Sequence, residues 1–139
     1  MAIEVALGQR SHFTIFGDDY DTRDGTAVRD YVHVLDLADA HVSALSRLLA
    51  GGSSESYNLG TGTGTTVREL VDGVGRAVGK PLAVQMAPRR PGDAPILVGD
   101  NAKARAQLGW NPSRDLDAIL ASAWRWHRVQ AARIDQGSA

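Results

Sequence analysis

The run Gly25-Thr26-Ala27-Val28-Arg29-Asp30-Tyr31-Val32-His33-Val34-Leu35-Asp36 constrains this chain more than any other stretch. An acidic loop ends at Gly25, a strand-like alternation follows, and Asp36 is placed to cap the start of a helix. Arg29 and Tyr31 lie two apart, so in extended chain they project to one face, with Asp30 and Val32 on the other. A planar fork of guanidinium donors beside a phenol that both donates and accepts suits a phosphate and the polar edge of a sugar or base. The same residues also suit a plainer arrangement, an Arg-Asp surface pair with a half-buried tyrosine at a strand end.

With 139 residues the chain is one domain by size and long enough to bury a core. Its net charge of −1 gives no overall attraction to nucleic acid or to an anionic membrane, so neither is an expected partner and any anion site must be local. Arginine outnumbers lysine thirteen to two, which favours fixed, bidentate contacts. The lack of cysteine excludes disulfides and thiolate metal sites. No apolar run is long enough to span a bilayer, and the opening residues lack a basic-then-apolar secretion pattern, so the cytoplasm is the expected location.

In order, Met1 to Gly8 read as the last turns of a helix, and Phe13 to Phe16 as a short strand closed by Gly17. The loop after it carries carboxylates at Asp19, Asp21, Asp24 and Asp30, but Arg23 and Asp24 stand where a calcium loop needs an oxygen ligand and a glycine, so no metal site is assigned. The helix from Asp36 has Leu37, Ala40, His41, Ala44, Leu45 and Leu48 along one apolar stripe, with His41 packed inside it, and stops at Gly51-Gly52. Ser56 to Leu59 read as a strand. Gly60-Thr61-Gly62-Thr63-Gly64 then leads into a helix that Thr66 and Glu69 open as a capping box. No glycine in the chain has another three positions on, so the dinucleotide fingerprint is absent; the loop fits either anion binding or simple turn chemistry.

That helix runs to about Val78 with Val67, Leu70, Val71, Val74 and Val78 inward, and Leu82 to Met86 alternate as a strand. Ala87-Pro88-Arg89-Arg90-Pro91-Gly92-Asp93-Ala94-Pro95 is a stiff loop displaying two arginines; it suits an anion clamp, or a rigid connection whose arginines pair with Asp93 and Asp100. Asp100 caps a short helix ending at Gly109, and Trp110 packs it down. Ser113 opens the last helix, with Leu116, Ile119, Leu120, Ala123 and His127 on one side and Trp124 and Trp126 as flanking core and lid residues. Residues 130–139 read as a frayed tail.

Several blocks in this order resemble the UDP-glucose 4-epimerases of the extended short-chain dehydrogenase/reductase family, over about Glu4 to His127 and in the family's C-terminal portion. They are Ile15-Phe16-Gly17-Asp18-Asp19-Tyr20, Asp24 to Val34, Asp36-Leu37-Ala38-Asp39-Ala40-His41, Tyr57-Asn58-Leu59-Gly60, Ala87 to Asp93, and Lys103-Ala104 with Leu108-Gly109-Trp110. The resemblance implies an α/β fold: the nucleotide-sugar-binding half of the extended fold, short strands with about four helices, the cofactor-binding Rossmann half absent. It implies one UDP-sugar-binding domain over residues 1–129.

The resemblance also implies roles. Arg29 and Arg90 would hold the diphosphate of a UDP-sugar, with Asp93 on the uridine ribose. Thr14, Ile15 and Phe16 would line the uracil, Tyr31 and Val67 would complete the wall, and Leu97 matches a position thought to gate room for an N-acetyl group. The family interconverts UDP-glucose and UDP-galactose through bound NAD, a 4-keto sugar and a Tyr-x-x-x-Lys motif. Here Asp24, Leu35 and Thr61 stand four residues after Tyr20, Tyr31 and Tyr57, so that motif is absent and no catalytic residue is assigned. The expectation is a UDP-sugar-binding portion that neither epimerises nor binds NAD alone and that pairs with a separate cofactor-binding half or self-associates. A stand-alone nucleotide-sugar-binding module and an inert remnant are the alternatives.

Overall fold

Phe13 to Phe16 form the first strand, β1, because bulky residues alternate there and Gly17 ends it with φ +82, where a Cβ would meet the Tyr20 ring at 2.6 Å. The computed structural model describes residues 1–137. A short helix α1 (Ala2–Ala6) precedes β1, and the elements after it are β2 (Val28–Arg29), α2 (Val34–Leu49), β3 (Thr65–Thr66), α3 (Val67–Val78), β4 (Val84–Ala87), β5 (Ile96–Leu97), α4 (Ala102–Leu108) and α5 (Leu116–Gly137). This is an α/β arrangement with five helices among the described residues, one more than expected, and two small sheets. β1 pairs in parallel with β4, Phe13 opposite Val84, and β2 lies between antiparallel β3 and parallel β5.

Two cores hold these layers together. Ala6, Val74 and Leu120 bring α1, α3 and α5 into contact, with Leu70, Leu116 and Trp124 packed around them. Ala40, Ala104 and Trp110 join α2 to α4, with Tyr57, Leu59 and Leu108 at the margin. Gly109, at φ +63, lets the chain turn left-handed after α4 and lay Trp110 back on it. The Trp110 indole N–H donates to the Asp36 carbonyl at 2.6 Å, so one side chain contributes both apolar burial and a satisfied polar contact.

The start of α2 corrects the expected capping. His33, not Asp36, is the N-cap: its Nδ1 accepts from the Leu35 N–H at 3.0 Å. Nδ1 being an acceptor, Nε2 carries the proton toward Ser122 Oγ at 3.0 Å, and that hydroxyl donates to the Ile119 carbonyl. Asp36 is buried inside the helix, where its carboxylate accepts from Ser113 Oγ, from the Arg114 N–H at 3.2 Å and from the Arg114 guanidinium. The apolar stripe of α2 is also corrected. Ala40 is buried, but His41, Leu45 and Leu48 are exposed, as are Val34, Leu35, Val42 and Leu49, because no described element covers that face.

Ser56 to Leu59 form no strand, since no neighbour pairs with their backbone; Tyr57 and Leu59 pack by side chain alone. Asn101 rather than Asp100 is the N-cap of α4, although the Asp100 carboxylate still accepts from the Ala102 N–H. The last helix opens at Leu116, with Asp115 accepting from Ala118, rather than at Ser113, which is turned to Asp36. It continues to Gly137 through much of the expected tail, whose last two residues lie outside the described ones. Trp124 is core, whereas Trp126 is 58% exposed.

The capping box at α3 is present as expected. The Thr66 hydroxyl accepts from the Glu69 N–H at 3.0 Å, the Glu69 carboxylate accepts from the Thr66 N–H at 2.9 Å, and Thr66 also donates to Asp24. Thr66→Ala therefore removes a cap and strips Asp24 of a donor. We expect a loss of about 2 kcal/mol, read as a lowered urea midpoint at unchanged slope.

Candidate functional site

Ala27, Arg29 and Tyr31 follow each other with the two-residue period of an extended chain, and all three line one cleft of about 180 Å³. β1 contributes Phe13, Thr14 and Phe16 to it, Val67 enters from the first turn of α3, and the proline-rich loop after β4 contributes Arg90 and Asp93. Met1 closes one side. Seven of the nine expected residues, Thr14, Phe16, Arg29, Tyr31, Val67, Arg90 and Asp93, thus come together from four separate parts of the chain.

Two expected residues do not join them. Ile15 is 1% exposed and turned into the interior, as strand alternation requires for a residue between Thr14 and Phe16. Leu97 pairs in register with Arg29 but is 55% exposed and does not line the cleft. Phe13, Ala27 and Met1 were not expected. The signal for Ala27 was available, since it stands two residues before Arg29 in the same alternation.

Arg29 is held rigidly. Its Nη1 donates to the carbonyls of Val28 at 2.8 Å and Ala94 at 2.9 Å, leaving Nη2 directed toward Asp93 Oδ1 at 3.7 Å. Arg90 stacks its guanidinium over the Phe16 ring, 4.4 Å from the centroid, and donates from Nε to Asp93 Oδ2 at 3.0 Å. Both cations therefore converge on one carboxylate, leaving a net positive charge in the cluster. Arg89, by contrast, faces away: it donates to the Asp19 carboxylate at 2.6 Å and lies over the Tyr20 ring at 4.1 Å. Of the two adjacent arginines only Arg90 serves the cleft, and the expected pairing with Asp100 does not form.

Burial pushes the Tyr31 phenol up from its ordinary value while the Arg29 charge works against it, so the hydroxyl stays protonated as a neutral donor. Asp30, between Arg29 and Tyr31 in the same extended segment but outside the cleft, is fixed by its own hydrogen bonds to Thr61 and Gly99. Burial tends to raise its carboxyl, but the Thr61 hydroxyl and the N–H groups of Thr61 and Gly99 outweigh burial and hold it below the ordinary range. A larger groove of about 890 Å³ lies between the start of α2 and α5, lined mainly by apolar residues such as Val34, Leu35, Ile119 and Trp126; its His33 and Ser122 are engaged with each other. The smaller cleft is the one where cations, a phenol and apolar walls converge.

Residues 1–123 match the family model described as GDP-mannose 4,6 dehydratase. The chain is 59% identical over 137 residues to the UDP-glucose 4-epimerase of Rhizobium meliloti (strain 1021), covering 99% of this chain and 40% of that protein. It superposes with a TM-score of 0.91 and 39% identity on the UDP-glucose 4-epimerase of Stenotrophomonas maltophila, solved with NAD and formylated UDP-arabinopyranose, over 95% of this chain and 39% of the other. The corresponding enzyme of Bifidobacterium longum, solved with NAD+ and UDP, gives a TM-score of 0.83 at 40% identity over 91% of this chain and 38% of the other. The chain thus spans about two fifths of the length of the relatives it matches. It belongs to the family of the GDP-mannose 4,6-dehydratase model and, within that, to the UDP-glucose 4-epimerases.

Proposed function

We propose that this chain is the substrate-binding, C-terminal portion of a UDP-glucose 4-epimerase, and that its cleft takes the UDP end of a UDP-hexose. The observation that carries the reading is the convergence of Arg29 and Arg90 beside Phe16, Thr14 and Tyr31: two cations for a diphosphate and an apolar slot for a base. In this reading Arg29 and Arg90 grip the phosphates, Asp93 and Tyr31 accept and donate at hydroxyls, and Phe13, Phe16 and Val67 shield the base.

NAD, which the Stenotrophomonas and Bifidobacterium enzymes carry, does not fit the residues described here. Gly60 to Gly64 lead into α3, but the donors at that helix start are taken: Glu69 holds the Thr66 N–H, Thr66 holds the Glu69 N–H, and the Thr26 hydroxyl holds the Arg68 N–H. This supports a chain that does not epimerise alone. Supplying the remainder of the Stenotrophomonas enzyme, the part that this chain does not cover, as a second polypeptide together with NAD is expected to restore interconversion of UDP-galactose and UDP-glucose, whereas the chain alone shows none. Turnover by the chain alone, or none from the pair despite complex formation, contradicts the proposal.

The exposed face of α2, with Val42 64%, Leu45 56% and Leu49 81% exposed, is the surface such a remainder would cover. Without it the chain is expected to self-associate. Sedimentation should show concentration-dependent dimers or larger species, and Leu45→Glu with Leu49→Glu should return it to a monomer.

A further inference from the structure

We infer that Asp30 is a positioning residue for the cleft: its carboxylate is the anion held by the glycine-rich loop Gly60 to Gly64, and from outside the cleft it sets the Tyr31 side chain on the cleft wall. The inference rests on the nucleotide-sugar reading above for its affinity readout. A loop of alternating glycines offers backbone N–H groups to an anion, and here the anion is the chain's own. Thr61 donates to Asp30 Oδ1 from its N–H at 2.9 Å and from its hydroxyl at 2.6 Å, and the Gly99 N–H donates to Oδ2 at 3.0 Å. The cradle fits closely. A Cβ on Gly60 would overlap Asp30 Oδ2 and meet the Gly99 Cα at 2.8 Å, and the Asn101 side chain donates to the Gly60 carbonyl at 2.6 Å.

The position of this contact in the fold ties it to the cleft. β2 is two residues long, and its backbone pairing ends at Arg29, opposite Thr65 on one side and Leu97 on the other. Asp30 comes next, and its carboxylate joins Thr61, ahead of β3, to Gly99, after β5, so a side chain continues the three-stranded arrangement where the ladder stops. Arg29 has ties of its own to the Val28 and Ala94 carbonyls. Tyr31 stands beyond the ladder, and its direction follows from the residue before it. In extended chain a carboxylate fixed away from the cleft turns the next side chain toward it, and Tyr31 lines the cleft.

Calorimetric titration of the full chain with UDP, in Asp30→Asn, Tyr31→Ala and the double variant, tests this. Asp30→Asn keeps the shape but brings an amide N–H2 into a cradle of donors. It is expected to weaken UDP binding about tenfold on its own and less than about twofold beside Tyr31→Ala, because it acts through Tyr31. In Asp30→Ala, sodium formate should refill the cradle, returning the Tyr31 ring signals and the UDP affinity toward wild type, whereas sodium chloride at equal ionic strength should not. A folded Asp30→Asn that binds UDP as wild type does, or that loses as much again beside Tyr31→Ala, overturns the inference and leaves the cleft reading intact. A folded Asp30→Ala indifferent to formate does the same; if Asp30→Ala does not fold, the Asp30→Asn comparison decides. A wild type that binds no UDP overturns the cleft reading, and the ring signals of Tyr31, which need no nucleotide, then decide the inference: their failure to return with formate overturns it.

Discussion

Arg29→Ala is expected to weaken UDP binding by about 30- to 150-fold, from the loss of about 2 to 3 kcal/mol of charge-assisted contact in a partly enclosed site. The large effect follows from rigidity: two backbone carbonyls already hold the guanidinium, so little side-chain entropy is lost on binding. Arg90→Ala should cost less, about tenfold, because Arg90 is 58% exposed and its charge is better screened. Arg29→Lys should recover little, since an ammonium cannot hold two carbonyls and still direct a second nitrogen at a phosphate. Calorimetry on each variant, with amide dispersion as the folding control, checks the ranking. An Arg29→Ala protein that keeps wild-type affinity means the diphosphate lies elsewhere.

The second large effect is on stability. Asp36→Ala should destabilise the chain by about 3 kcal/mol, a large share of the 5 to 15 kcal/mol typical of a domain. The Asp36 carboxylate is buried, and it is the acceptor for Ser113, the Arg114 N–H and the Arg114 guanidinium; removing it leaves those donors facing each other where α2, the Trp110 turn and the approach to α5 meet. Arg114 keeps its Nη1 contact with the Asp39 carboxylate at 3.1 Å and is 33% exposed, so the guanidinium is not left without a partner, which keeps the loss below that of a fully buried pair.

Asp36 also carries an acid dependence. Burial alone would raise its carboxyl, but the hydrogen bonds from Arg114 and Ser113, with the Arg114 charge, outweigh burial and hold it below the ordinary 3.8. A group whose folded pKa is depressed contributes stability in full above its unfolded pKa and loses it as pH falls through the folded value. Asp36→Asn should therefore be less stable than wild type near neutrality, and the difference should shrink below about pH 4. Urea titrations at pH 7, 4 and 3 read it directly; a gap that stays constant across that range means the charge on Asp36 does not matter.

What the sequence made legible was local. The capping box of Thr66 and Glu69, the glycine after β1 and the left-handed stop at Gly109 each depend on residues within a few positions, and each is present in the fold. The packing of Trp110 on α4 was legible too, but not its contact with Ala40 or with Asp36, 74 positions away. Asp36 was legible as important but not in its role, because its partners lie 77 and 78 positions away and no local pattern announces them. His33 could take the cap because Ser122 on α5 fixes its other nitrogen, again a distant cause.

The cleft divides the same way. The alternation around Arg29 puts Arg29 and Tyr31 on one face, and the stiff loop puts Arg90 on display, but only the tertiary fold brings these to β1 and adds Ala27 to the same wall. Ile15 was assigned with its neighbours by resemblance, against the alternation that turns it inward. The stripe on α2 has the right period for a buried face, yet periodicity cannot say what covers it; among the described residues only Ala40 on that stripe is buried.

The central claim is that this chain forms a cleft for the UDP end of a nucleotide sugar. A proton-nitrogen correlation spectrum of the chain, titrated with UDP, tests it most directly. The account predicts dispersed signals and saturable shifts concentrated at Thr14, Phe16, Arg29, Tyr31 and the Arg90 to Asp93 loop, with the exposed face of α2 unmoved. Dispersed signals indifferent to millimolar UDP, or shifts confined to the groove between α2 and α5, would contradict it.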